Sequence, residues 1–162
     1  MPSSAAHVAL AAHNVKLACL LGRTTEYHDW VATVTFYAAL HVIEALFASE
    51  KPPEHGQAHE RREFLLKERR KYSNVYAHYR PLQSAATIAR YLKDGVVAFG
   101  DQMSPMDVHS ILMRHHLVSI LQSAAKLDLL PEPLREILRS AEDSIRQLPQ
   151  SLQQMGSVRM VR

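Results

Sequence analysis

From Asp29 to Phe47 the chain reads DWVATVTFYAALHVIEALF, and after Asp29 its polar positions are few: Thr33, Tyr37, His41 and Glu44 are the main ones. At about 100° per residue these four fall on one flank of a helix. The other flanks carry Trp30, Val31, Val34, Phe36, Leu40, Val42, Ile43, Leu46 and Phe47. A helix apolar nearly all round belongs in the middle of a bundle, with its polar seam inside or at a cleft. Buried polar groups need partners, and the segment HGQAHERR from His55 to Arg62 offers them.

The flanking pattern is also helical. Ser3 or Ser4 caps a first helix that runs to about Leu21 and stops at Gly22. Asp29 is the expected N-cap of the central helix, which ends near Ser49. The prolines of KPPEHG make Lys51 to Gly56 a loop, which places His55 off the next helix. A third helix covers about Gln57 to Lys71. A fourth covers Val75 to Leu92, with Asn74 as its cap and a kink or break at Pro81. Lys93 to Ser104 reads as loop. Ser104, Pro105 and Asp107 open a fifth helix reaching about Leu129. Its expected core face is Val108, Ile111, Leu112, Leu117, Ile120 and Leu121. A sixth spans about Leu134 to Leu148. The chain is expected to be all-α: one bundle of five to six helices over residues 1–149, then a frayed basic tail over 150–162.

Composition narrows the classes. Of 162 residues, 47% are hydrophobic and 22% charged, which suits a globular domain with its own core. The net charge of +3 and the isoelectric point near 9.1 permit a modest affinity for phosphate without demonstrating one. The single cysteine, Cys19, excludes an internal disulfide and fits a reducing cytoplasm. Its apolar neighbours mark it as a small packing residue rather than a nucleophile. Polar residues interrupt every long apolar run and no signal peptide is visible, so a cytoplasmic protein outside the membrane is expected. No Walker motif, dinucleotide fingerprint or nucleophile setting occurs, and no cofactor is expected.

Three constellations bear on chemistry. His59 and Arg62 are three apart on one helix and are placed to face Tyr37, His41 and Glu44. One outcome is an anion site, with His59 and His41 as proton-handling groups and Arg62 as phosphate clamp. The other is a structural network in which Arg62 pairs with Glu44. Tyr79, Arg80, Arg90 and Tyr91 can offer phosphate contacts and stacking faces for single-stranded nucleic acid. Alternatively the tyrosines straddle core and surface while Arg90 pairs with an acid such as Glu44. The run His59 to Tyr72 mixes signs, as solvated helix faces do. A metal site from His55, His59, His28 and His41 lacks carboxylate and thiol partners at suitable spacing, and none is expected. Arg114-His115-His116 would meet their symmetry mates if the fifth helix formed a dimer interface.

Taken together, DWVATVTFYAALHVIEAL, HGQAHERREFL and VYAHYRPLQSAATIARYL resemble the prokaryotic HEPN-like helical-bundle families. The resemblance covers roughly Ala5 to Leu92. It is anchored on Asp29-Trp30, Phe36-Tyr37, His41, His59, Arg62, Tyr79, Ser84, Arg90 and Tyr91. It implies an antiparallel up-and-down bundle, often a homodimer, associated with nucleotides or RNA. Some such proteins are metal-independent endoribonucleases or toxins of toxin–antitoxin and defence systems with a cognate antitoxin partner; others only bind. The nuclease members carry Arg, four to six residues, then His. Here the one match is Arg23-TTEY-His28, before the central helix, whereas the family motif sits late in the bundle. The resemblance therefore implies a nucleotide- or RNA-binding module first, with Tyr37, Glu44, His55, Tyr79, Arg90 and Tyr91 as binding residues. A metal-independent endoribonuclease using His59, Arg62 and His41 is the alternative. A helical interaction protein with a purely structural seam is a further one.

Overall fold

The central helix, α2 (His28–Ala48), is buried on nearly every side, as its composition demands. The computed structural model describes residues 2–91 and 99–148. Against α2 lies α1 (Ser4–Leu21), joined to it by the short link 22–27. Val8, Ala11, Val15 and Ala18 form the buried stripe of α1 at alternating steps of three and four. Small residues on α2, among them Ala32, Ala38, Ala39 and Ala45, are also fully buried. Ser3 caps α1, its hydroxyl accepting from the Ala6 N–H at 3.2 Å. Gly22 ends it, its N–H donating to the Ala18 carbonyl at 2.8 Å. By length and hydropathy α1 and α2 could each cross a bilayer, but 78% of the apolar window of α2 is buried within the bundle.

After the loop come α3 (His59–Glu68), a 3₁₀ turn at Arg70–Tyr72, and α4 (Ser73–Arg90), which packs on α2. Phe99–Gln102 forms one helical turn. A long rod, α5, then runs unbroken through Pro105–Asp107, Val108–Leu117 and Val118–Lys126. It contacts α2 and α4, while α6 (Glu132–Arg146) closes over α1 and α5. Among the described residues there is no strand, and the protein is an all-α helical bundle.

Several local expectations are corrected. Asp29 is not the N-cap of α2: the helix starts at His28, and Asp29 Oδ1 accepts from the Trp30 N–H at 2.8 Å. Trp30, read with the apolar flanks of the helix, is 58% exposed, while Val31 and Ala32 beside it are buried. The third helix is shorter than its charge pattern suggests, since Arg69 is extended and starts a 3₁₀ turn. Asn74 is not a cap but donates to Ser123 Oγ on α5 at 2.6 Å.

Pro81 does not break α4. The buried positions Val75, Tyr79, Leu82 and Ala86 keep helical spacing across it. Packing on both sides of the proline outweighs the one backbone hydrogen bond that its missing N–H removes. Ser104 caps the helix with Pro105 in its first turn as expected, and Asp107 also accepts from the Ser104 N–H, which completes a capping box.

The main surprise is that Val108–Leu117 is wound as a π-helix. Its bonds span five residues, so Val108, Met113 and Val118, and likewise Leu112 and Leu117, align and are buried. Ile111, three residues from Val108, shares that face only in an α-helix and is 41% exposed here. The tail 150–162 and the first half of the expected loop, 93–98, lie outside the described residues; in the second half Phe99–Gln102 is a helical turn, not loop.

Candidate functional site

The polar flank of α2 leads to a buried ionic node. The carboxylate of Glu44 accepts from Arg62 Nε at 2.8 Å and from the Gly56 N–H at 3.1 Å, and lies 3.4 Å from His55 Nδ1. Arg62 Nη2 donates to the Gly56 carbonyl, and Nη1 lies 3.5 Å from His59 Nδ1. Glu44 and Arg62 are each only 5% exposed. The loop that the prolines enforce closes over α2 here. Gly56 is where it touches: a Cβ at this position would sit 2.7 Å from Arg62 Cβ and 2.9 Å from Glu44 Oε1.

Beside the node is a cleft of about 240 Å³ bordered by His7, His41, Glu44, His55 and Arg62. His7, on α1, was not singled out from the sequence. Its Nδ1 lies 3.2 Å from His41 Nδ1, with the rings stacked at 5.4 Å. Burial lowers the pKa of His7, with Glu44 opposing and His55 and Arg62 reinforcing. Burial and then His7 lower that of His41. Both imidazoles are thus held toward the neutral form.

A second cluster lies on the outer side of α2. Arg90, at the end of α4, donates from Nη1 to the Tyr37 hydroxyl at 2.9 Å and from Nε to the Ala86 carbonyl at 3.0 Å. Its guanidinium lies 5.2 to 5.7 Å from the ring centres of Tyr91, Tyr37 and Phe36. Among the described residues no carboxylate pairs with Arg90, so the Arg90–Glu44 pairing considered from the sequence does not form. Tyr91 is 55% exposed and Tyr37 37%. Trp30, Asp29, Thr33 and Arg90 border an adjoining hollow of about 130 Å³. His59 is exposed at the first turn of α3, 5.9 Å from Phe36 ring to ring. Its pKa is lowered by burial of the ring's inner side, then by Arg62 and Arg90.

The residues singled out from the sequence thus divide between two places. Glu44, His41, His55 and Arg62 meet in the interior node, with His59 at its rim. Tyr37, Arg90 and Tyr91 meet outside. Tyr79 is fully buried beneath both, packed on Phe36, and burial raises the pKa of its phenol. Ser84 is exposed farther along α4. Arg23 is exposed and borders a groove with Lys16 and Cys19, whereas His28 packs on Phe99. Cys19 is half-buried, and burial pushes its thiol up to about 11, which keeps it protonated. Within the basic run of α3 and the following turn, Arg69 and Lys71 pair with Glu50, and Lys67 with Glu63. That run is a charge-balanced face.

Fold and site together define an all-α bundle with a buried carboxylate–guanidinium node and an exposed arginine–aromatic face. No family model, no curated protein and no solved structure matches the chain.

Proposed function

We propose that this bundle is a HEPN-like binding module for a nucleotide or single-stranded RNA, and that Arg90 with Tyr37 and Tyr91 is its contact face. The observation that carries the reading is a guanidinium with no carboxylate partner among the described residues, set against the buried Phe36 and flanked by the rings of Tyr37 and Tyr91, which are open to solvent. Stacking on such rings and phosphate contact through such a cation are the two forces that hold single strands without base readout. His59, at the edge of this face, adds a hydrogen-bonding group. The interior node serves a different purpose in this reading. Arg62 already spends its fork on Glu44, Gly56 and His59, so it anchors the loop and leaves phosphate to Arg90. The resemblance to HEPN families adds a homodimer and a cognate antitoxin-like partner as companions of this reading, and the single cysteine adds a cytoplasmic setting.

Fluorescence anisotropy with a short labelled single-stranded RNA tests it. Arg90→Gln and Tyr91→Ala should each weaken binding about tenfold, within the ~1–3 kcal/mol of a stacked base, with unchanged melting. Wild-type protein that leaves the RNA free at low salt, or variants that bind as wild type does, refute the module.

The endoribonuclease alternative draws on one observation, an exposed His59 held toward its neutral, base-competent form. Cleavage of mixed RNA in the presence of chelator, abolished by His59→Gln, would establish it. Intact RNA at high protein concentration would remove it.

A further inference from the structure

The α4–α5 interface carries a polar strip on the opposite side of α4 from the α3 contacts. Asn74 bonds Ser123 at one level. One turn along α4, His78 faces His115 and His116 of α5. One ligand-capable nitrogen from each of the three rings lies within 4.8 Å of the other two. The Nδ1 atoms of His78 and His116 are 3.0 Å apart. Ring centres are 4.7 to 5.3 Å apart, and the planes are inclined by 55 to 79°. Inclined rings converge their nitrogen edges instead of stacking their faces.

Two sequence neighbours, His115 and His116, reach one point because this stretch of α5 is π-wound. A wider turn leaves a smaller angle between successive side chains than an α-helix does, and π segments are often retained at functional sites. Among the described residues, the charged neighbours that bear on His78 and His116 are histidines alone, with no carboxylate to hold an imidazolium. His78 and His116 are part-buried in the interface, and His115 is exposed at its edge. Neutral imidazole is the form that coordinates metal.

We propose that His78, His115 and His116 form a three-histidine site for a divalent first-row transition cation such as zinc. Water takes the fourth position on the side where His115 is open to solvent. Zinc–nitrogen bonds of about 2.0–2.1 Å in tetrahedral geometry put ligand nitrogens roughly 3.3 Å apart; the His78–His116 pair is already at 3.0 Å, and His115 lies within 4.8 Å of both. A second group, His7, Glu44 and His55, is equally close-set. It is a poor cation site, because Glu44 is already neutralised by Arg62 and an incoming dication would meet that guanidinium.

The test is calorimetric titration of chelator-stripped, dialysed protein with zinc chloride, paralleled by the visible spectrum with cobalt(II). One equivalent should bind with a dissociation constant of about 10 µM or tighter, and cobalt should give the intense bands of four-coordination. His115→Gln alters an exposed side chain and leaves the fold intact, which its melting temperature verifies. It should lower affinity at least about tenfold, the order expected for loss of one of three ligands. His78→Gln and His116→Gln should do the same, and His7→Gln should not. Absence of saturable binding at about 100 µM zinc, or unchanged affinity in folded His115→Gln and His78→Gln protein, would overturn the site.

Discussion

Arg62→Met should destabilise the bundle more than any exposed substitution, and a second change should largely restore it. Methionine fills much of the aliphatic volume of Arg62 but removes the cation facing Glu44. The carboxylate is then left 5% exposed with the Gly56 N–H and His55 as its remaining partners. Removing one member of a buried ion pair costs about 3–5 kcal/mol. For a domain of this size that lowers the melting temperature by roughly 6 to 20 °C. Adding Glu44→Gln to Arg62→Met removes the stranded charge, while the amide oxygen can still accept from the Gly56 N–H. Replacing both partners of a buried pair is often close to neutral. The double variant should therefore recover most of the loss despite carrying more changes. Urea melts of the wild type, both single variants and the double variant close the cycle. The reasoning is refuted if Arg62→Met melts within about 0.5 kcal/mol of wild type, the range of ordinary surface changes. It also fails if the double variant is no more stable than Arg62→Met alone.

Two further outcomes follow from the same region. Gly56→Ala forces a Cβ against Arg62 Cβ at 2.7 Å and Arg62 Cα at 3.0 Å. Urea melts should show a loss of about 1–3 kcal/mol, as for overpacked interiors, and a wild-type midpoint would mean the loop is not pinned at the node. Acid should also weaken the fold before any carboxylate titrates. His7 and His41 have folded-state values lowered from their ordinary 6.5, chiefly by burial. Their contribution is complete above pH 6.5. Below it the unfolded chain takes up protons that the folded chain resists, so stability falls with pH. Melts between pH 7.5 and 5 should show that slope, and the paired substitutions His7→Gln and His41→Gln should flatten it; an unchanged slope contradicts the assignment.

Much of the fold was legible because its rules are local. The apolar content of α2, the stop at Gly22, the cap at Ser3 and the cap at Ser104 each depend on residues within one or two turns. The pairing of Glu44 with Arg62 was legible as one of two outcomes, since a polar flank and a basic segment joined by a short proline loop have little freedom to miss each other. The division of the named residues into an inner node and an outer face was not legible. Thr33, Tyr37, His41 and Glu44 share a flank, but only the positions of α1, α3 and α4 decide which of them is covered. Arg90 found Tyr37 rather than Glu44 because α4 ends level with the middle of α2, and no spacing rule records that level.

Local chemistry alone thus determined that this chain is helical, roughly where each helix begins, and that its second helix is interior. The π-winding of α5 was decided by packing, since it exchanges Ile111 for Met113 and Val118 at the core and no residue in VHSILMRHHL demands it. The histidine groupings were likewise tertiary. His7 reaches His41 across 34 positions, and His78 reaches His116 across 38. A pattern confined to neighbouring residues carries no information about which distant side chains the collapse of a core will bring into contact.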